Sequence, residues 1–260
     1  MATGRTLNKW KRVYMDGYDM SGFGRSIGPL ELKYDEADLT AHMSDTVKGY
    51  LRNHGHANCG NFNAVFDNTA TTGIHALMST PGAKRTVLVA QGIRAAPAAG
   101  DPAFGGDFEQ VGYTAENDGG AVTVSVPFSG WAVDAATLAY ASPWGVLLHA
   151  NGAETGANSA NSSIDNPTEG ATTKGGFFIY QVLAGAGGDG TATLSVDDSA
   201  DNSSWLALSG ATSGEIVCTS VQKGIVALAN TATVRRYLRW QISLNGATSV
   251  TFVCAFMRAY

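Results

Sequence analysis

Residues 191–260 contain the runs TATLSV (191–196), SSWLALSG (203–210), GEIVC (214–218), GIVALAN (224–230), TVRRYLRWQISL (233–244) and SVTFVCAFMRAY (249–260). Short clusters of Gly, Asn, Asp, Ser and Thr separate them. Apolar residues alternate along the two longest runs; these residues are Val234, Leu238, Trp240, Ile242 and Leu244 in the first and Val250, Phe252, Cys254 and Phe256 in the second. A period of two, interrupted by turn residues, is typical of strands that bury one face. The stretch is therefore predicted to form a β-sandwich or jelly roll.

The composition of the whole chain indicates a protein that is covered by partners. The 260 residues suffice for one large or two modest β domains. Hydrophobic residues make up 44% of the chain and charged residues 15%, and there are 32 glycines. Soluble domains typically contain about 25% charged residues. A surface with so few charges is expected to be covered in part by other copies of the chain or by other proteins.

Charge and cysteine content exclude several classes of protein. The net charge of −5 argues against a general nucleic-acid binder, which needs a basic surface for phosphate contacts. Cys59, Cys218 and Cys254 are odd in number and far apart, so we expect buried thiols made in a reducing cytoplasm. The sequence has no apolar signal segment and no apolar run of about 18 residues, so neither a signal peptide nor a membrane contact is expected.

Residues 1–33 differ from the rest of the chain. Basic residues cluster there before any acidic one, aromatic residues are interleaved with them, and Gly17, Gly22, Gly24 and Gly28 interrupt any regular element. A disordered terminus is the alternative interpretation, but disordered tails are poor in aromatic residues. We predict an extended N-terminal arm that docks on a neighbouring acidic copy. Its candidate assembly contacts are Arg5, Lys9, Trp10, Lys11, Arg12 and Tyr14.

Residues 34–150 are predicted to form a β-domain that bears a packed helix. The segment 34–55 has acidic residues near its start, Lys48 and Arg52 near its end, and Gly55 as a terminator, which favours a helix. Its apolar residues fall near one helical stripe. The segment TTGIHALMST (71–80) is a second helix candidate, and RTVLVAQGI (85–93) and AVTVSVPF (121–128) are strand candidates.

The polar segment 151–176 has Ile164 as its one large apolar residue, and we interpret it as a loop or linker before the C-terminal sandwich, residues 177–260. AVTVSVPFSGW (121–131) and TATLSVDDSADNSSW (191–205) have a similar pattern. The two halves are therefore either related modules or a chance recurrence of short β patterns.

Three motifs that could bind a ligand have simpler interpretations. GAGGDG (185–190) matches the GxGxxG string of dinucleotide sites, but a strand follows it where the site needs a helix, so a hairpin loop is expected. His54, His56 and Cys59 lack a fourth zinc ligand nearby. The cluster Asp197, Asp198 and Asp201 lacks the terminal glutamate of a calcium loop and suits a solvated turn.

Catalytic constellations are absent from the sequence pattern: there is no GxSxG motif and no histidine in register with a nucleophile. His42, His75 and His149 lie among apolar residues, which favours core or interface positions. Arg235, Arg236 and Arg239 fall on both faces of one strand, so pairing with acidic neighbours is expected. We therefore expect no enzyme, no cofactor and no metal.

Six segments of the chain resemble a known family when they are taken together: the basic arm, NAVFDNTATTGIHALM (63–78), RTVLVAQG (85–92), VTVSVPFSGWA (122–132), the polar loop and RRYLRWQISLNGATSVTFVCAFMR (235–258). The family they resemble is that of tailed-bacteriophage virion structural proteins, most of all the major tail (tail tube) proteins of long-tailed phages. The resemblance implies β-sandwich subunits with a packed helix, arms and a stacking loop. Such subunits form stacked trimeric or hexameric rings through which DNA passes transiently and without specific contacts.

Three functions follow as expectations. The first is a self-assembling tail tube in the virion, made in the host cytoplasm, with other copies of itself and other phage tail or head proteins as partners. The second is a capsid decoration or head-tail connector protein. The third is a jelly-roll glycan-binding adhesin, against which Trp205 and Trp240 count, because their places in strand patterns predict burial instead of display on loops.

Overall fold

The computed structural model describes residues 7–38, 50–93, 95–131, 142–155, 163–165 and 171–259. Among these residues a 3-10 turn (Asn8–Trp10) precedes the strands, and the α-helix is α1 (Ile74–Met78). The strands are β1 (Lys11–Met15), β2 (Tyr18–Asp19), β3 (Gly24–Gly28), β4 (Glu31–Asp38), β5 (Tyr50–Asn58), β6 (Asn61–Val65), β7 (Lys84–Gln91), β8 (Pro102–Gln110), β9 (Thr114–Asp118), β10 (Ala121–Trp131), β11 (Trp144–Glu154), β12 (Ile164–Asp165), β13 (Gly176–Ala186), β14 (Thr191–Ser199), β15 (Leu206–Val217), β16 (Gln222–Ala227), β17 (Tyr237–Asn245) and β18 (Ser249–Arg258).

Antiparallel pairing joins these strands into layers. A central sheet has the order β2-β1-β7-β8-β11-β18-β13-β16. A front sheet, β9-β10-β6-β3, is continuous with it because β10 runs on to pair with β8. A back sheet has the order β12-β17-β14-β15, and β4 pairs with β5 alone. The mainly β architecture with a short packed helix, predicted from the sequence, is confirmed.

The middle strands of the central sheet are buried on both faces. Along β7, Val87 and Val89 face the core beneath the front sheet, whereas Leu88 and Ala90 face a second core on the opposite side. A strand enclosed on both sides needs a continuous apolar run, which RTVLVA provides. The central sheet is therefore the layer on which both halves of the chain are built.

The C-terminal stretch forms the predicted sandwich. Leu238, Trp240 and Ile242 of β17 point from the back sheet into the same core as Phe252 and Phe256 of β18 in the central sheet. The alternation read from the sequence thus marks the buried face of both strands. Strand β18 also buries its other face, where Val253, Ala255 and Met257 pack in a separate core. The period-two pattern did not reveal this second buried face.

Side-chain hydrogen bonds and ion pairs connect strands from the two ends of the central sheet. Asp16, in the turn after β1, accepts hydrogen bonds from Arg85 of β7 (2.9 Å) and from Lys223 of β16. Gln181 of β13 accepts from the backbone N–H of Gly17 and donates to the carbonyl of Thr86 (2.9 Å). The sheet consequently curls around the core that holds Leu88 and Val253.

The helix predicted over residues 34–55 is wrong wherever the structure describes it, since Glu31–Asp38 and Tyr50–Asn58 form paired strands. Residues 39–49 lie outside the described part. Ala57 and Cys59 are fully buried and Leu32 packs against the same core, an arrangement that the local capping signals did not encode. Tertiary burial thus overrides a helical preference of a few tenths of a kcal/mol per residue. The packed helix is instead Ile74–Met78, within the second helix candidate.

Two other predicted segments are more ordered than expected. Residues 11–28 of the predicted arm contribute three strands to the sheets, and residues 1–6 lie outside the described part. The polar segment 151–176 begins as a continuation of β11 to Glu154 and includes β12, where buried Ile164 pairs with Leu238. The central sheet contains strands from both sides of this segment.

Candidate assembly surface

The structure separates the predicted assembly contacts into exposed and buried residues. Lys9 is exposed and Trp10 is half-buried in the 3-10 turn, with the Lys9 ammonium 5.1 Å from the centroid of the Trp10 ring. Lys11 and Arg12 are half-buried in β1. Tyr14 is 2% exposed and belongs to the core of the curled sheet, where burial raises the pKa of its hydroxyl. Arg5 lies outside the described residues.

A small basic groove of about 110 Å³ lies where these residues meet the start of β3. It is lined by Lys9, Lys11, Arg12 and Arg25, with Phe62 beneath them. Arg12 Nη1 donates to the carbonyls of Lys9 (3.1 Å) and Lys11 (2.9 Å), which fixes its guanidinium at the groove. Arg25 was not recognised from the sequence, because nothing local links it to β1, which ends 10 residues before it in the chain.

The charge of this basic groove is only partly neutralised. Arg25 pairs with Asp118 at 2.9 Å, and both side chains are largely exposed. Exposed pairs of this kind contribute about 0–1 kcal/mol, so Arg25 remains available to a second carboxylate. On a chain of net charge −5, a cluster of four cations is a surface that another copy of the chain can recognise.

The sheets also present edges. Within the described residues, β3, β9, β15 and β16 each pair with one neighbouring strand. Leu206 and Val217, at the two ends of β15, are 58% and 47% exposed. An edge strand with exposed apolar side chains offers unpaired backbone groups to another chain. These edges are the second part of the candidate assembly surface.

The described residues contain no group of three or more His, Cys, Asp or Glu side chains that could hold a metal ion, and the histidine and cysteine motif lies only partly among them. His56 is exposed, whereas Cys59 is fully buried and burial raises the pKa of its thiol. The side chain of His54 is outside the described part. His149 occupies the core position expected from its apolar neighbours, with Nδ1 3.1 Å from the carbonyl of Phe252 and Nε2 3.0 Å from Glu154.

The glycine-rich segment GAGGDG connects two strands, as expected, but the prediction of a hairpin is wrong. Strand β13 lies in the central sheet and β14 lies in the back sheet, so the segment crosses from one layer to the other. Gly190 packs against the backbone of Gly246 and Ala247, where a Cβ atom would collide. Glycine is needed here for close backbone approach, not for a phosphate.

The strand arginines have the acidic partners that the sequence predicts. Arg235 pairs with Asp198 (2.9 Å) and Arg239 pairs with Asp197 (2.8 Å). Arg236 pairs with Asp165, which lies in the polar segment, and the hydrogen bonds from Arg236 lower the pKa of the Asp165 carboxyl. Two members of the aspartate cluster thus pair with arginines of β17 and the segment before it.

The third member, Asp201, organises the turn before β15. Its carboxylate accepts hydrogen bonds from the backbone N–H groups of Ser203 (2.9 Å) and Ser204 (2.8 Å), which lowers its pKa below the ordinary value. A lowered carboxyl pKa stabilises the fold above the unfolded pKa, and this stability is lost as the pH falls through the folded value. We expect a carbon-detected NMR titration to show Asp201 still ionised at pH 3. Titration of Asp201 at or above the ordinary aspartate pKa would contradict this geometry.

Comparison with known proteins adds little to this description. No protein-family model and no curated protein matches the chain. Among solved structures, the chain is similar to the Dit protein of phage SPP1, whose crystal structure is titled a paradigm of the hub adsorption apparatus in phages that infect Gram-positive bacteria. The two share 9% sequence identity over 96% of this chain and 99% of that one, with a TM-score of 0.31. A similarity this low carries no inference about function. No helix in the described part of the chain is long and apolar enough to cross a membrane.

Proposed function

We propose that the chain is a structural virion protein of a tailed phage, and that copies of it assemble into stacked rings that form a tail tube. The proposal rests on the resemblance of the segments quoted above. The observation that supports it most is the set of sheet edges with exposed apolar side chains at β15. In a closed ring each edge can pair with the neighbouring copy, so that what is a liability in a monomer becomes an interface.

The β4–β5 pair supports assembly by a separate argument. Residues 33–36 of β4 are exposed, and the pair has no third strand among the described residues. Leu32 and Ala57 anchor one end of the pair in the core beneath the front sheet. Contact with a neighbouring copy would add burial at the exposed residues 33–36, and a two-stranded ribbon needs such added packing to be stable in water.

Charge supports both the contact between copies and the passage of DNA. The net charge of −5 disfavours adhesion of a phosphate backbone, which suits a lumen through which DNA slides. The basic groove around Lys9 and Arg12 is the exception, and it suits carboxylates of the next copy. A capsid decoration or head-tail connector protein remains the alternative, since it needs the same kind of edges and the same low charge.

Negative-stain electron microscopy of the purified chain at high concentration tests the proposal. We expect rings and tubes. Lys9→Glu reverses a charge at the basic groove and is expected to raise the concentration needed for tubes at least about tenfold, because juxtaposed like charges at an interface cost several kcal/mol. Lys174→Glu, which makes the same change at an exposed site away from the groove, is the matched control. A chain that stays monomeric at high concentration would argue against the tube.

A further inference from the structure

The outward face of the back sheet carries a second, polar groove of about 370 Å³ between β14 and β17. It is lined by Thr193, Ser195 and Asp197 from β14 and by Arg239, Gln241 and Ser243 from β17. These residues alternate with core residues such as Leu194 and Ile242, so the period of two places all of them on the side away from the core. This polar groove is distinct from the basic groove and from the edge of β15.

The two charged side chains of the polar groove are held by hydrogen bonds, and their charges cancel. Asp197 Oδ2 accepts hydrogen bonds from Arg239 Nε (3.0 Å) and Nη2 (2.8 Å) and from Gln241 Nε2 (2.8 Å). The guanidinium of Arg239 also lies 4.5 Å from the ring centroid of Trp205. Trp205 is half-buried at the side of this face, not in the core as its strand pattern suggested. One acid and one base give the polar groove no net formal charge.

Several polar atoms in the polar groove lack protein partners. Gln241 Oε1 is buried and accepts no hydrogen bond from any residue that the structure describes. In that same part of the chain, the hydroxyls of Thr193 and Ser243 form no hydrogen bond either. The buried oxygen of Gln241 is out of a ligand's reach, whereas the hydroxyls of Thr193 and Ser243 can both donate to a ligand and accept from it.

The lining selects the chemistry of the ligand. A carboxylate in the wall disfavours anions such as phosphate, and the arginine that could attract them is already neutralised by Asp197. Hydroxyls and a guanidinium disfavour an apolar ligand, because its binding would strip their water without replacing the hydrogen bonds. Sugar hydroxyls donate and accept at once, and so match this mixture of groups. We propose that the polar groove binds an uncharged saccharide.

This proposal is independent of tube formation and is tested on the whole purified chain. A printed array of neutral and acidic saccharides identifies the strongest binder, and isothermal titration calorimetry with that saccharide then measures affinity. The double variant Thr193→Val/Ser243→Ala removes two hydroxyls without changing side-chain size appreciably. We expect a neutral saccharide to bind, and the double variant to weaken its binding about tenfold or more.

The matched control is Thr123→Val/Ser125→Ala, which makes the same chemical changes on β10 of the front sheet and is expected to leave affinity unchanged. Equal melting temperatures for the two double variants exclude a folding defect. The proposal is overturned if no saccharide binds, if acidic saccharides alone bind, or if the groove variant binds as the parent does. If no saccharide binds and the groove variant abolishes tubes, the face is instead a contact between copies. Imaging reports on the tube separately, so either proposal can fail alone.

Discussion

Replacing Arg258 by alanine is expected to destabilise the fold by about 3–5 kcal/mol, measured as the free energy of unfolding in urea. Arg258 is 1% exposed near the end of β18. Its guanidinium donates to the carbonyl of Val234 (2.7 Å) and to that of Arg235, and so holds the segment before β17 against the last strand. Alanine would leave these carbonyls without their donor and open a cavity beside them.

Two further variants show whether the stability lost in Arg258→Ala is due to the forked geometry of the arginine side chain. Arg258→Lys keeps the charge but offers a single ammonium, so it is expected to recover less than half of the lost stability. Arg25→Ala removes an arginine whose side chain is 45% exposed and which pairs with Asp118, and it is expected to cost less than about 1 kcal/mol. If Arg258→Ala were as mild as Arg25→Ala, the buried contacts of Arg258 would not hold the two strands together.

The second large effect is expected for Trp240→Ala, which should cost about 3–5 kcal/mol. Trp240 is 3% exposed in the core between the central and back sheets. Its ring lies 4.5 Å from that of His149 and 5.3 Å from that of Phe252, measured between centroids. Truncation leaves a void beside the rings of His149 and Phe252, which belong to two other strands and cannot both move to fill it. Thermal and urea unfolding of the purified variant measure the loss.

Trp205→Ala is the matched control. Trp205 is half-buried and contacts Arg239 on the outward face, where a cation–π interaction contributes about 0.5–1 kcal/mol. Its removal is expected to cost about 1 kcal/mol and to leave the transition cooperative. Equal losses for the two tryptophans would mean that Trp205 belongs to the core.

Local patterns predicted the candidate site in part. The clustering of Lys9, Lys11 and Arg12 in sequence pointed to a basic surface, and the structure places all three at one groove. Arg25 joins them only because β3 is brought beside β1 by the fold. Tyr14 shows the opposite error, since its place in a basic aromatic run suggested exposure, whereas β1 pairs with β7 and turns Tyr14 inward.

The polar groove was missed for a similar reason. Thr193 and Ser243 look like ordinary solvent-facing strand residues when each strand is read alone. They line one groove because Thr193 pairs directly with Ser243 across β14 and β17, 50 residues apart in sequence. The alternation of each strand could be read locally, whereas their register could not.

The sequence by itself determined that the chain is mainly β and that Trp240 and Phe252 point into a core, because these depend on periodicity; it offered the segment around Ile74 only as a second helix candidate. The tertiary structure decided the rest. It made residues 31–38 and 50–58 a strand pair instead of a helix. It also made GAGGDG the connection between a strand of the central sheet and a strand of the back sheet, and it buried both faces of β18. Each of these outcomes depends on which distant strand becomes the neighbour, and burial against that neighbour outweighs local preferences of a few tenths of a kcal/mol.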